Sequence, residues 1–103
     1  MEKICGIYKI TNIQNNKYYI GQSVNIINRW YTHYLKPISD FDKLLRKLGI
    51  DNFNFEIIER CPINKLNERE KYWIEYYDSF NNGYNQTKGG DYNREYNIPQ
   101  WKI

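Results

Sequence analysis

A chain of 103 residues, 41% hydrophobic and 26% charged, has material for one domain and one core and no more. Fifteen Lys and Arg against twelve Asp and Glu leave a net charge of +3. That excludes a histone-like polycation and does not by itself identify a nucleic-acid partner.

Lys3 to Thr11 alternates, with Ile4, Gly6, Tyr8 and Ile10 on one face and Cys5 and Ile7 on the other, which predicts a strand. Asn12 to Asn16 is rich in turn formers and Lys17 to Gly21 predicts a second short strand, so the two form a hairpin. Gly6 and Gly21, each inside a strand pattern, mark places where another backbone or a ligand comes close. Ser23 is the expected N-cap of a helix running to about Tyr34. Ile26, Ile27, Trp30, Tyr31 and Tyr34 form its broad apolar stripe, with Arg29 and His33 together at one border.

Pro37 ends that element, and Asp40 to Leu48 predicts a shorter helix with Phe41, Leu44, Leu45 and Leu48 apolar, closed by Gly49. Phe53 to Glu59 places Phe53, Phe55 and Ile57 on one face and predicts a third strand. Residues 64 to about 77 form the clearest helix, with Leu66, Trp73, Ile74 and Tyr77 as its apolar stripe and Glu70 in the middle of it. Asn81-Asn82-Gly83 is a turn, Tyr84 to Thr87 a short edge strand, and the polar stretch from Gly89, with Pro99, a loop. No repeat or linker interrupts this order, so one domain over 1–90 and a tail over 91–103 are expected.

The chain holds 14 Asn, 15 Ile and 11 Tyr with no Ala. Asn, Ile, Lys and Tyr all have A/T-rich codons, so genome composition explains most of the skew. One His and two Cys cannot build a Cys/His zinc site, and the Gly89-Gly90 pair is no phosphate-cradling loop. Met1 runs into Glu2-Lys3-Ile4 without an apolar signal segment, and no apolar run approaches the ~18 residues of a membrane span. Reduced thiols in a soluble, intracellular, cytosol-type setting are therefore expected.

Three sets of residues stand out chemically. Glu70 on an apolar stripe needs a cation, a metal or a donor network; a capping box with Asn67, or a salt bridge, would also account for it. Arg29 beside His33 suits a phosphate, and also suits an ordinary helix border. Tyr8 and Tyr19 become neighbours only if the hairpin turn centres near Ile13 and Gln14. A turn on Asn15-Asn16 would offset them by roughly 13 Å, and packing is the ordinary role of either ring.

Taken in order, Gly6-Ile7-Tyr8, Tyr19-Ile20-Gly21, Arg29 to His33, Glu68 to Ile74 and Gly83-Tyr84-Asn85 resemble the GIY-YIG nuclease superfamily. The resemblance covers about 4–90 and is to the catalytic domain of phage and group I intron homing endonucleases. It implies an α/β (α+β) fold, a small three-stranded antiparallel sheet flanked by three or more helices. It implies metal-dependent hydrolysis of DNA phosphodiesters by a homing-type domain or a free-standing phage or bacterial relative. A restriction or structure-specific repair nuclease of the same superfamily, and a non-catalytic DNA-binding module keeping the fold, are the rival readings.

By the same resemblance Tyr8 is the general base, Tyr19 hydrogen-bonds near the nucleophile and Arg29 stabilises the phosphorane. His33 contacts phosphate or assists Tyr8. Glu70 holds a single divalent cation, Mg²⁺ with Mn²⁺ able to substitute, and Asn85, Gly6 and Gly21 support the site. A tyrosine base with an ordinary pKa of ~10 needs a downward shift from the metal, Arg29 or a neighbouring phenol. Some homing relatives carry a second His before the next helix, where Ser39 stands here. Homing relatives also continue into DNA-binding modules, so a separate DNA-binding module is expected to supply affinity.

Overall fold

The alternating segments pair as expected, and the turn between them sets what faces what. In the computed structural model, which describes residues 3–89, β1 (Gly6–Asn12) pairs antiparallel with β2 (Lys17–Ser23) and β3 (Phe53–Arg60). The order is β2-β1-β3, so β1 is the central strand. Asn12 pairs with Lys17, which centres the turn between Gln14 and Asn15, with Asn16 at φ 57°. Tyr8 therefore lies opposite Gly21, and Tyr19 opposite Ile10. Neither register weighed from the sequence is the one adopted; the two tyrosines are diagonal neighbours on one face.

That face carries α1 (Ile26–Leu35) and α2 (Asp40–Leu48); the other carries α3 (Leu66–Tyr77). Alternation along β1 divides the core accordingly. Tyr8 and Ile10 pack with Ile26, Phe41, Leu45 and Phe53, while Ile7 packs with Ile20, Leu66 and Ile74. Phe55 and Ile57 join the first cluster, and Trp73 and Tyr77 the second, as the strand and helix periodicities predict. Among the described residues no helix is long and apolar enough to cross a membrane.

Several expectations are corrected. Ser23 ends β2 rather than capping α1; its hydroxyl accepts from the Asn25 N–H, and Asn25 is the N-cap. The stripe on α1 is rotated from the one read off the sequence. Tyr31 is 61% exposed, while His33, placed at the border, is fully buried. A polar ring is buried without penalty only where both nitrogens are bonded, and here both are.

The Asn67–Glu70 capping box does not form, because a 3-10 turn at Ile63–Lys65 leads into α3 and leaves Asn67 inside the helix. Residues 84–87 are not a strand. Asn85 instead bonds the edge of β2 through its side chain, accepting from Ile20 N–H at 2.8 Å and donating to Ile20 C=O at 2.8 Å. The side-chain amide makes the two bonds that a fourth strand would have made. The tail assigned to 91–103 lies outside the described residues.

Candidate active site

Two glycines allow the site to form, each by close approach. A Cβ on Gly6 would lie 2.0 Å from the Glu59 carbonyl oxygen, where a register shift in the β1–β3 ladder at Ile7/Tyr8 brings the backbones together. A Cβ on Gly21 would lie 2.3 Å from Tyr8 Cζ and 2.4 Å from Tyr8 Oη. The Tyr8 ring thus crosses its neighbouring strand through the space of a missing side chain.

Tyr8, Tyr19, Gly21, Gln22, Ser23, Arg29 and Glu70 line one cavity of about 390 Å³. Side chains from both faces of the sheet meet in it, Tyr8 and Tyr19 from the side of α1 and α2 and Gln22 and Glu70 from the side of α3. Arg29, from the first turn of α1, is half-buried and donates from Nη1 to Thr32 Oγ1 at 3.0 Å. Glu70 comes from the opposite side, on α3. Its Oε1 accepts from Gln22 Nε2 at 3.0 Å, and the same amide donates to Asn67 at 2.8 Å. The donor network demanded by a carboxylate on an apolar stripe includes this amide, which the sequence did not single out.

His33 does not line the cavity; it stands behind Tyr8. Its Nε2 is 2.7 Å from Tyr8 Oη, and its Nδ1 bonds Asp42 Oδ1. Tyr8, Tyr19 and Phe41 present their rings edge-on to it at 5.8, 5.5 and 6.1 Å. Asp42 is the second residue missed. Ser39-x-x-Asp42 reads as a capping box, and a capping box is present on α2. Nothing in the spacing shows that the same carboxylate reaches a ring nine positions earlier.

The electrostatics correct one expectation. Burial pushes the Tyr8 phenol well above its ordinary pKa, and Tyr19 pushes it further in the same direction. Arg29 pulls down but is outweighed by these effects. Tyr19 is pushed up to about 12, first by burial, with Arg29 again opposing. A neighbouring phenol therefore raises the pKa of Tyr8 rather than lowering it, since two anions in one low-dielectric site repel.

Among the described residues no group of three His, Cys, Asp or Glu is set to hold an ion. One half-buried carboxylate on the cavity wall still fits a hydrated divalent cation, which keeps several waters and takes one or two protein oxygens. Glu70 is the acidic residue lining this cavity.

Comparison with known proteins agrees with the geometry. The family model of the GIY-YIG catalytic domain matches residues 4–85. Intron-associated endonuclease 1 of Enterobacteria phage T4 is 38% identical over 87 residues, covering 78% of this chain. The chain spans 36% of that relative's length. A solved mutant of the catalytic domain of intron endonuclease I-TevI superposes with a TM-score of 0.74 at 30% identity, covering 84% of this chain and 96% of that one. A second structure, of the catalytic domain of homing endonuclease I-TevI, gives 0.70 at 32% identity, with 81% and 98% covered.

Proposed function

The chain belongs to the GIY-YIG catalytic-domain family, and on that premise we propose that it hydrolyses DNA phosphodiester bonds as the catalytic module of a homing-type endonuclease. The observation that carries this reading is the convergence of Tyr8, Tyr19, Arg29 and Glu70 on one cavity. Phosphodiester hydrolysis needs an activated nucleophile, charge neutralisation on the non-bridging oxygens and help for the leaving oxygen. Tyr8 and Tyr19 suit the first need, Arg29 the second and Glu70, through a cation, the third.

In this reading Tyr8 Oη removes a proton from the attacking water and Tyr19 hydrogen-bonds that water in place. Arg29 offsets the charge that accumulates on the phosphorus oxygens in the transition state. Glu70 holds the divalent cation, with Gln22 orienting its carboxylate. When bound, Mg²⁺ or Mn²⁺ supplies Lewis-acid stabilisation of the oxygen that leaves. Asn85 steadies β2, and through it Tyr19, by its paired bonds to Ile20. DNA is the partner, and a DNA-binding module separate from this domain supplies affinity and site choice.

The test is nicking of supercoiled plasmid by the purified chain, expected with Mg²⁺ or Mn²⁺ and silent with EDTA. Glu70→Ala should cut at least ~100-fold more slowly and bind Mn²⁺ more weakly by calorimetry. Arg29→Ala should slow single-turnover cleavage of bound DNA by about 10²–10³-fold, the range for loss of one transition-state charge partner. DNA binding without cleavage under any of these conditions would point instead to a non-catalytic module.

A further inference from the structure

Behind the cavity runs a chain of three bonded groups, Tyr8–His33–Asp42, of which the chemistry above uses only the first. Tyr8 is 1% exposed, His33 is fully buried and Asp42 is 1% exposed. Burial by itself raises the pKa of the Asp42 carboxyl, but bonds from His33 and from the Ile38 and Ser39 N–H groups outweigh it and hold the group below its ordinary value. Asp42 is thus a carboxylate, and a carboxylate only accepts. The Nδ1 of His33 therefore carries a proton, and in the neutral ring the Nε2 lone pair faces Tyr8 Oη at 2.7 Å. The phenol donates to it.

This arrangement answers a difficulty raised by the site itself. A phenol whose pKa is raised by burial does not stand as phenolate near neutral pH. It has no need to, if it hands its own proton to an imidazole while taking one from water. The groups facing His33 are Tyr8 from β1, Tyr19 from β2, and Phe41 and Asp42 from α2. Asp42 is the carboxylate among them, so an imidazolium formed here is balanced by it.

We propose that Asp42 is a positioning residue, holding His33 as the Nδ1–H tautomer so that Nε2 takes the Tyr8 proton as Tyr8 Oη takes one from the attacking water. The inference rests on the nuclease reading. In the step, a water O–H bond breaks as a Tyr8 O–H bond forms, and the original Tyr8 O–H bond breaks as Nε2–H forms. The water oxygen's electron pair makes the new P–O bond, and the bond to the leaving oxygen breaks with its own pair. The leaving oxygen takes a proton from solvent. The imidazolium returns its proton through Tyr8 to solvent, which restores the site.

Asparagine at 42 separates this role from a packing role. Asp42 Oδ2 also accepts from Ile38 N–H at 3.2 Å and Ser39 N–H at 3.4 Å. Those amides hold the oxygen of an Asn side chain and turn its NH₂ toward His33 Nδ1. The ring must then accept at Nδ1 and carry its proton on Nε2, where it donates to Tyr8 and takes nothing from it.

His33 is the single His of the chain, so its two ring nitrogens are assigned without ambiguity in ¹⁵N-labelled protein. NMR should show a protonated Nδ1 and a bare Nε2 in the parent, and the reverse in Asp42→Asn. Single-turnover plasmid cleavage by Asp42→Asn should fall about 10²–10⁴-fold, the range for loss of a positioned acid–base group, with DNA affinity within about twofold of the parent. An Nε2–H tautomer in the parent overturns the proposal, as does a reversed tautomer that still cuts at the parental rate. Should Asp42→Asn fail to fold, the parent spectrum decides. A parent that cuts no DNA removes the nuclease reading whatever its tautomer, whereas a cutting parent with the wrong tautomer removes only the relay.

Discussion

Gly21 is where a single atom governs the site. Tyr8 reaches the cavity through the volume that any other residue would fill, with an added Cβ 2.3 Å from the ring. Gly21→Ala should therefore destabilise the fold by about 1–3 kcal/mol through overpacking. It should also cut cleavage by more than that loss explains at temperatures where the variant is still folded, because the phenol is pushed off His33. Urea denaturation run beside the nicking assay checks both; equal activity in the folded fraction would sink the argument. At this scale Tyr8, Tyr19, Arg29 and Glu70 were legible as motif positions, and they do line one cavity. His33 was legible as a residue but not in its setting, since a helical wheel has no means of showing what stands across from its border.

At the scale of elements, two polar side chains do the work of backbone. Asn85 satisfies both groups of Ile20 on the open edge of β2. Asn85→Ala should cost about 1–3 kcal/mol, the range for leaving part-buried groups unpaired, read as a lower urea midpoint. Ser39 accepts from the Asp42 N–H at 3.1 Å and completes the α2 capping box. Ser39→Ala should cost about 0.5–2 kcal/mol by loss of the cap, and a cost near zero would show that Asp42 holds the helix start alone. The α2 boundaries and its Gly49 closure match the sequence reading, because local capping chemistry sets them. The start of α1 does not, because Ser23 is held in the β1–β2 ladder opposite Gly6, and the residues after Gly83 do not, because they bond the outer edge of β2.

For the whole molecule, pH acts from two sides. The folded pKa of Asp42 is depressed, so its contribution is present above the unfolded carboxyl value and is lost as pH falls through the lower folded one. Tyr8 and Tyr19 are raised; their contribution is full below the unfolded value of ~10 and is lost as pH rises, for Tyr19 through about 12. Urea midpoints should fall across that alkaline window, and Tyr19→Phe should flatten the fall. A slope unchanged in Tyr19→Phe would contradict the burial of that phenol. The modest charge of +3 predicts weak DNA binding by this chain, with log K falling by ~0.9 per phosphate contact for each tenfold rise in salt.

Read along the chain alone, the residues give the order of the three sheet strands and three helices and the motif that points to the class of fold and its chemistry. The elements rest on local periodicity and short spacings, which the chain carries in one dimension, whereas the class of fold and the chemistry rest on the motif's resemblance to a known family. Packing in three dimensions centres the hairpin turn between Gln14 and Asn15, puts His33 wholly inside and stands Asp42 behind it. Register and burial depend on which surfaces meet across the sheet. The energy of those meetings belongs to pairs of residues far apart in the chain, and it leaves no periodic trace along it.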